Sequence, residues 1–278
     1  LGNIWRFDVA ESESNCSSNA VKVFTAKNSS GANQAITGEL TVIKAPNNLP
    51  GYMILFGTGR YNTVADISNT DIQSLYGVYD NTSATNSLTR ANLVNYLLGS
   101  YDAAKLTRQT AKQADANGGK TWWDTGSTAK GWVIDLTCTG CGSGERMLDK
   151  PLVNGTGNDQ TVYFLSIAPG VDVCKVGGSG WLTGINATSG AYTQIFNADT
   201  ANSAQASGVT PRGLFISTNA SGDDFINLTV NDNSNSSNPD ISSVFTDGGG
   251  QTVGSDYSRT RDISSELYKP PPCTVNCG

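Results

Sequence analysis

Gly2-Asn3-Ile4-Trp5-Arg6-Phe7-Asp8 opens the chain with a phrase that returns three more times. Each copy joins a glycine, a tryptophan or tyrosine and a few mostly apolar residues to an Asp or Asn, and the later copies are Leu75–Asp80, Gly131–Leu136 and Gly180–Asn186. A strand ending repeated every ~40 to 50 residues, and lengthened by insertions, is typical of propeller blades. The pattern therefore predicts an all-β fold, a partial modified β-propeller. Four unrelated hairpins of a β-sandwich are the alternative.

The composition fits many short strands and favours neither a nucleic-acid nor a membrane partner. The chain has 278 residues, 31 of them glycine, with a net charge of −6 and a pI of about 4.6. Because the sequence has no basic stripe, nucleic acid and anionic membranes are poor candidates as partners. The longest apolar run, Met53–Phe56, is too short to span a bilayer, so we expect no membrane insertion.

Histidine is absent from the sequence. Its absence excludes a Ser-His-Asp triad, histidine-ligated zinc and the commonest general base near neutral pH. Carboxylates alone could still catalyse a reaction, but no pair of them stands out. We therefore expect a non-enzymatic protein without catalytic residues.

Six cysteines in a chain rich in Gly, Asn and Ser indicate disulfides formed in an oxidising compartment. Cys138-Thr139-Gly140-Cys141 follows a strand pattern, so a structural disulfide is favoured over a redox motif or a zinc site. Cys273 and Cys277 are expected to close a small loop in the tail. Cys16 and Cys174 are then left to each other by elimination.

The apolar pattern divides the chain into two parts. Residues 1–200 are predicted to form the blades, and residues 201–278 the final strands and an irregular, disulfide-closed tail that includes Pro270–Pro272. Ser87 as an N-cap, followed by helical spacing of apolar residues, predicts a short helical insertion at about 88–117.

Gly57-Thr58-Gly59-Arg60-Tyr61 could be mistaken for a phosphate-binding loop. No helix with a Lys-Ser/Thr start follows it, which argues against a nucleotide site. The favoured interpretation is a close turn between neighbouring blades, with Arg60 paired to a carboxylate.

Two sets of residues are candidates for ligand binding. Trp122 and Trp123 could stack on a sugar or another ligand, although such residues more often cover the end of a sheet. Alternating oxygen donors could hold a cation such as calcium at Asn231, Asn233, Asn235 and Asp240. A solvated loop is the favoured alternative at that second place, because the run carries few carboxylates and Pro239 interrupts it.

Five phrases follow one another between residue 1 and about residue 190. They are Leu1–Asp8, Ile54–Tyr61, Gln73–Asp80, Gly131–Leu136 with Gly144–Met147, and Cys174 with Gly177–Leu182. In this order they resemble the GDLLGNxWRFD, FGTGRY, QSxYGIWD, GWYLDL…GERV and C…GGxSWL phrases of the PilY (PilC-type) tip adhesins of type IV pili. Beyond about residue 200 little resemblance is left.

The resemblance implies a modified propeller carried at the pilus tip on a larger N-terminal region. Four copies of the opening phrase do not complete a seven-bladed ring, so we expect Leu1 to lie in mid-propeller. It also implies roles in pilus biogenesis, surface adhesion and twitching motility, with pilin, minor pilins and a host or abiotic surface as partners. The implied location is extracellular, at the pilus tip or cell surface after export through the periplasm. The family's calcium loop would lie upstream of Leu1, and the Arg-Gly-Asp of some members is absent, since Leu214 follows Arg212-Gly213.

Two other functions fit parts of the sequence. A secreted carbohydrate-binding module would use Trp122, Trp123 or Trp132. A quinoprotein-type oxidoreductase is a weaker alternative, because that chemistry favours adjacent cysteines and none occur here. The turn Asn186-Ala187-Thr188-Ser189-Gly190 does resemble the Asp-x-x-Thr-Gly turn of quinoprotein-like blades, with Asn186 in place of the acid.

Overall fold

A computed structural model describes ten segments of the chain. They are residues 2–7, 20–82, 87–103, 107–112, 121–169, 178–193, 201–207, 209–218, 224–232 and 241–246. These segments contain eighteen strands and no α-helix. Three short 3-10 turns accompany the strands, at Val64–Asp66, Arg90–Asn92 and Gly157–Asp159.

The strands form four sheets, numbered I to IV along the chain. Sheet I contains β1 (Asn3–Phe7), β2 (Ala20–Thr25) and β6 (Leu88–Thr89), in that order. Sheet II has the order β3 (Thr41–Lys44), β4 (Tyr52–Gly57), β5 (Ser74–Asp80), β10 (Gly131–Asp135), β7 (Val94–Leu98) and β9 (Thr110–Lys112).

The later strands form the other two sheets. Sheet III has the order β11 (Arg146–Met147), β13 (Thr161–Pro169), β14 (Gly178–Asn186), β15 (Ser203–Ser207) and β8 (Thr107–Arg108), and β12 (Leu152–Asn154) also pairs with β13. Sheet IV is formed by β16 (Val209–Thr218), β17 (Asp224–Asp232) and β18 (Ile241–Thr246). Neighbouring strands are antiparallel, except for the parallel pairs β2–β6 and β7–β10.

The sheets stack face to face because their central strands are apolar on both sides. In β4, Met53 and Leu55 face sheet III, whereas Ile54 and Phe56 face sheet I. Successive side chains of a strand point to opposite faces, so an unbroken apolar run is suited to a sheet buried on both sides. On the far side of sheet III, Leu182 packs with Ile226 of sheet IV. This succession of packed sheets is the arrangement of propeller blades.

Trp132, from the third copy of the opening phrase, lies at the centre of the contact between sheets II and III. Its side chain is fully buried and its Nε1 donates to the Ala187 carbonyl at 3.1 Å. Gly77 and Gly190 lie against the indole, and a Cβ atom at either position would overlap the ring. The glycines are therefore required by this packing.

An aromatic trio fills the contact between sheets I and II. The ring of Tyr76 lies 5.2 Å from that of Phe24 and 5.1 Å from that of Phe56. Burial raises the pKa of Tyr76 to about 12, and the Tyr76 hydroxyl donates to the Lys27 carbonyl at 2.9 Å. Aromatic pairs at this distance add to the stability that burial alone gives.

The predicted helical insertion at 88–117 is wrong where the structure describes it. The described residues between 87 and 112 form β6, a 3-10 turn, β7, β8 and β9. In β7, Val94, Tyr96 and Leu98 are buried while Leu97 is 47% exposed, which is the alternation of a strand. The apolar residues also fit a helical period, but pairing with β10 and β9 decides for the strand. Residues 113–117 lie outside the described segments.

The four copies of the opening phrase all form strands, as predicted, but they do not each mark a separate sheet. β5 and β10 carry two of the copies and pair with each other, with Trp132 opposite Gly77. The predicted boundary near residue 200 falls just before β15, which pairs with β14. Of the predicted tail, residues 247–278 lie outside the described segments.

Candidate functional site

The acidic ends of the repeated phrase are anchored by arginines from distant parts of the chain. Arg90 donates to both carboxylate oxygens of Asp135, at 2.7 and 2.9 Å, and Ser74 Oγ donates to the same carboxylate at 2.7 Å. Arg6 Nη1 lies 2.5 and 2.6 Å from the two carboxylate oxygens of Asp80. Such charge-assisted bonds fix where each strand ends, which is a structural role.

Asn186 organises the turn at the end of the fourth copy. Its Oδ1 accepts from the backbone N–H groups and the hydroxyls of Thr188 and Ser189, at 2.8 to 3.1 Å. An amide oxygen therefore does here what an acidic side chain would do at the same position.

Arg60 pairs with a carboxylate, as the sequence predicted. Its Nε donates to Asp66 at 2.8 Å. Burial acts to raise the pKa of Asp66, but hydrogen bonds from Arg60, Thr63 and Asn62 outweigh it and hold that pKa well below its usual range. The Asp66 carboxylate thus stabilises the loop that follows Gly57 and Gly59, and it forms an ion pair with Arg60.

A small polar cavity of about 120 Å³ lies beside this pair, with Arg146 in its wall. Arg146 donates to the carbonyl oxygens of Gly144, Arg60, Asp66 and Asn69, at 2.6 to 2.9 Å. Burial lowers the pKa of Arg146, while the nearby Asp66 acts against that shift. The guanidinium holds the loop by its backbone, so it too has a structural role.

The most deeply buried charges form a cluster that we call the Arg108 hub, which consists of Arg108, Glu145, Ser166, Trp181 and Ser203. Arg108 makes two hydrogen bonds of 2.6 Å to Glu145, and the two side chains are 0% and 2% exposed. Ser166 Oγ also donates to the carboxylate, at 2.5 Å. The guanidinium donates to Ser203 Oγ at 3.1 Å and lies 3.8 Å from the Trp181 ring centroid.

Sequence reasoning missed this hub. Arg108 falls within the predicted helical insertion, and Glu145 belongs to one of the phrases that resemble the family. The two residues are 37 positions apart. A buried charge requires a partner, but no sequence pattern says which distant residue supplies it.

A disulfide joins Cys138 and Cys141, whose Cα atoms lie 5.2 Å apart. This is the pairing that the sequence favoured. Cys141 Sγ also accepts from Arg108 Nη1 at 3.6 Å, so the disulfide touches the hub. The other disulfide candidates, Cys16, Cys174, Cys273 and Cys277, lie outside the described segments.

The two candidate ligand-binding tryptophans differ in exposure. Trp122 is 3% exposed, and its Nε1 donates to the Thr188 carbonyl at 2.7 Å. Its ring packs 4.9 Å from that of Tyr79 and 5.2 Å from that of Trp123. Trp122 therefore offers no free face for a sugar, which favours its structural interpretation. Trp123 is partly exposed, and its role in binding stays a prediction.

The predicted cation site is largely outside the described segments. Asn231 lies near the end of β17, whereas Asn233, Asn235 and Asp240 are not described. Within the described segments, no group of three or more Asp, Glu or Cys residues could hold a metal ion. Calcium binding at this place stays a prediction.

An open groove of about 440 Å³ runs along β1. It is lined by Gly2, Asn3, Ile4, Trp5, Ile36, Gly38 and Leu40. Trp5 is 49% exposed, and Phe7 on the same strand is 57% exposed. β1 thus presents two exposed aromatic side chains beside this groove.

These features define an all-β, propeller-like domain with ion-paired strand ends. Residues 1–112 match the family model described as the PilY1 beta-propeller domain. The fold is similar to the crystal structure of the Pseudomonas aeruginosa PilY1 C-terminal domain, with a TM-score of 0.61 and 24% sequence identity. That match covers 83% of this chain and 55% of the solved one.

Sequence relatives also indicate similarity to PilY1 proteins. A type IV pilus biogenesis factor PilY1 homolog of Xylella fastidiosa is 32% identical over 205 residues, covering 68% of this chain and 13% of the relative. Type IV pilus biogenesis factor PilY1 of Pseudomonas aeruginosa is 28% identical over 228 residues, covering 70% of this chain and 19% of the relative. The matches thus span less than a fifth of each relative. They confirm the expected resemblance, which is to a PilY1-type C-terminal region.

Proposed function

We propose that this chain is part of a type IV pilus biogenesis factor. The observation that carries the proposal is the match to two proteins of that description over about two thirds of the chain, which are 32% and 28% identical to it. The propeller-like fold supports it independently, because a PilY1 C-terminal domain has the same fold. The matches cover only 13% and 19% of those relatives. The function of the full-length protein is therefore itself part of the proposal.

Within this proposal the chain is a non-enzymatic binding and structural region. Several charged side chains at the described strand ends form ion pairs, as in Arg90–Asp135 and Arg108–Glu145. No metal-binding group occurs among the described residues, and histidine is absent from the whole sequence. These observations favour a domain that presents surfaces over one that carries out a reaction.

The proposed place of action is the pilus tip, outside the cell, where the protein would contact pilin and minor pilins and attach to a host or abiotic surface. In the described part of the chain, no helix is both long and apolar enough to cross a membrane. The protein would act in adhesion, pilus biogenesis and twitching motility.

A deletion strain of the source bacterium tests this proposal. We expect it to lose twitching zones on agar and attachment to glass or host cells, and to regain both when the intact gene is returned. Twitching and attachment at the wild-type level in the deletion strain would contradict the proposal. Loss of attachment with normal twitching would restrict the role to adhesion.

A further inference from the structure

The Cys138–Cys141 disulfide lies in a partly exposed loop. Both cysteines are partly exposed, and the loop around them is exposed at Thr137, Thr139 and Gly140. Access to the sulfur atoms is the first requirement for exchange with another thiol.

The two sulfur atoms have different surroundings. Cys138 packs against the largest apolar cluster, between sheets II and III. Cys141 Sγ instead accepts from Arg108 Nη1 at 3.6 Å. Glu145 and Ser203 accept hydrogen bonds from the guanidinium and hold it beside the sulfur. An adjacent cationic donor favours the thiolate over the thiol, whereas an apolar contact disfavours it.

The fold around the loop has support other than the disulfide. The bridge closes a loop of only three residues' separation, and such short loops contribute least to stability in the chain-entropy view. The loop is also held by hydrogen bonds from Cys141 N–H to the Cys138 carbonyl at 3.2 Å and from Tyr101 N–H to the Thr139 carbonyl at 3.0 Å. Reduction is therefore compatible with the folded state.

From these observations we propose that Cys138–Cys141 is a thiol–disulfide exchange site for a protein dithiol, with attack at Cys138 and Cys141 as the leaving group. The partner's thiolate forms a bond to Cys138 Sγ while the Sγ–Sγ bond breaks. The electron pair of that bond stays on Cys141 Sγ, beside Arg108. The partner's second thiol then attacks the mixed disulfide and releases Cys138. The partner leaves as a disulfide, and this pair has gained two electrons and two protons.

Dithiothreitol serves as the dithiol in the test. The native chain is incubated with it, alkylated with iodoacetamide and mapped by peptide mass spectrometry, which separates this pair from the other cysteines. We expect the pair to be reduced while the far-UV circular dichroism stays unchanged. Reduction only after a denaturant has unfolded the chain would overturn the proposal.

The assignment of the leaving group has its own test. Alkylation rates are measured against pH for Cys138→Ser, which keeps Cys141, and for the matched Cys141→Ser, which keeps Cys138. At pH 7 we expect the Cys141 thiol to react about tenfold faster, because Arg108 stabilises its thiolate. Equal rates, or a faster Cys138, would overturn the assignment. If a serine variant does not fold, the first site alkylated in the reduced wild type decides in the same way.

Discussion

Single arginines hold distant parts of this chain together. Arg108, Arg90 and Arg6 each reach a carboxylate 37 to 74 positions away. Transfer of two charges from water into the interior is costly, and good geometry with further hydrogen bonds is needed to offset the cost. Once such a pair is formed, removal of one partner leaves an uncompensated charge, which is much more destabilising than loss of an exposed pair.

Glu145→Gln tests this reasoning in the Arg108 hub. Because Arg108 would stay buried without a counter-charge, we expect the free energy of unfolding to fall by about 3 kcal/mol, measured by urea denaturation. Glu39→Gln is the matched control, because the Glu39 side chain is 77% exposed and forms an exposed ion pair, with Oε2 at 3.7 Å from Lys150 Nζ. It is expected to cost less than about 1 kcal/mol. Equal effects of the two substitutions would contradict the role of the hub.

Asp66 makes the stability depend on acid pH. Its pKa is lowered in the folded state from an ordinary value of 3.8. The stabilisation is therefore complete above that value and is lost as the pH falls below it toward the folded-state pKa. We expect Asp66→Asn to show a shallower loss of stability than the wild type below about pH 4 in urea titrations. Parallel curves for the two proteins would show that Asp66 has no such effect.

At the level of strands, the sequence predicts those elements whose conformation is determined by local residue patterns. Three of the four phrases form strands that are buried on both faces, whereas β1 buries Ile4 and exposes Trp5 and Phe7. The helix predicted for residues 88 to 112 is wrong because the apolar spacing of this segment fits both a helix and a strand. Pairing of β7 with β10 and β9 selects the strand. The Cys138–Cys141 bridge was predictable from its short spacing, whereas the Arg108–Glu145 contact depends on the whole arrangement of sheets.

Two adjacent leucines of β7 distinguish strand from helix. Leu98 is 6% exposed and Leu97 is 47% exposed. We expect Leu98→Ser to lower the free energy of unfolding by about 2 to 5 kcal/mol, because it removes buried apolar volume. Leu97→Ser, the matched control, is expected to cost less than about 1 kcal/mol. Chemical denaturation checks both variants, and similar losses would be inconsistent with the strand.

Gly77 tests the packing of β5 against β10. A Cβ atom at this position would overlap the indole of Trp132. We expect Gly77→Ala to lower the free energy of unfolding by about 1 to 3 kcal/mol, as in other overfilled cores. Gly142→Ala is the control, because a Cβ atom there meets nothing within 4 Å. A neutral Gly77→Ala in thermal and urea unfolding would mean that Trp132 lies elsewhere.

The described part of the molecule is a row of packed sheets, each buried against the next. Apolar runs and glycines were enough to predict an all-β, propeller-like fold. They were not enough to count the sheets, because two copies of the phrase, in β5 and β10, share one sheet. The proposed function likewise depends on two kinds of observation. The sequence relatives indicate pilus biogenesis, and the structure shows the fold.

We expect this region to be needed for the assembly of type IV pili by the proposed biogenesis factor. The most direct test is the amount of pilin sheared from the surface of a deletion strain that carries either the intact gene or the gene without the codons for residues 1–246. We predict wild-type surface pilin with the intact gene and a severe loss with the shortened one, at equal levels of the encoded protein. Wild-type surface pilin with the shortened gene would contradict the claim.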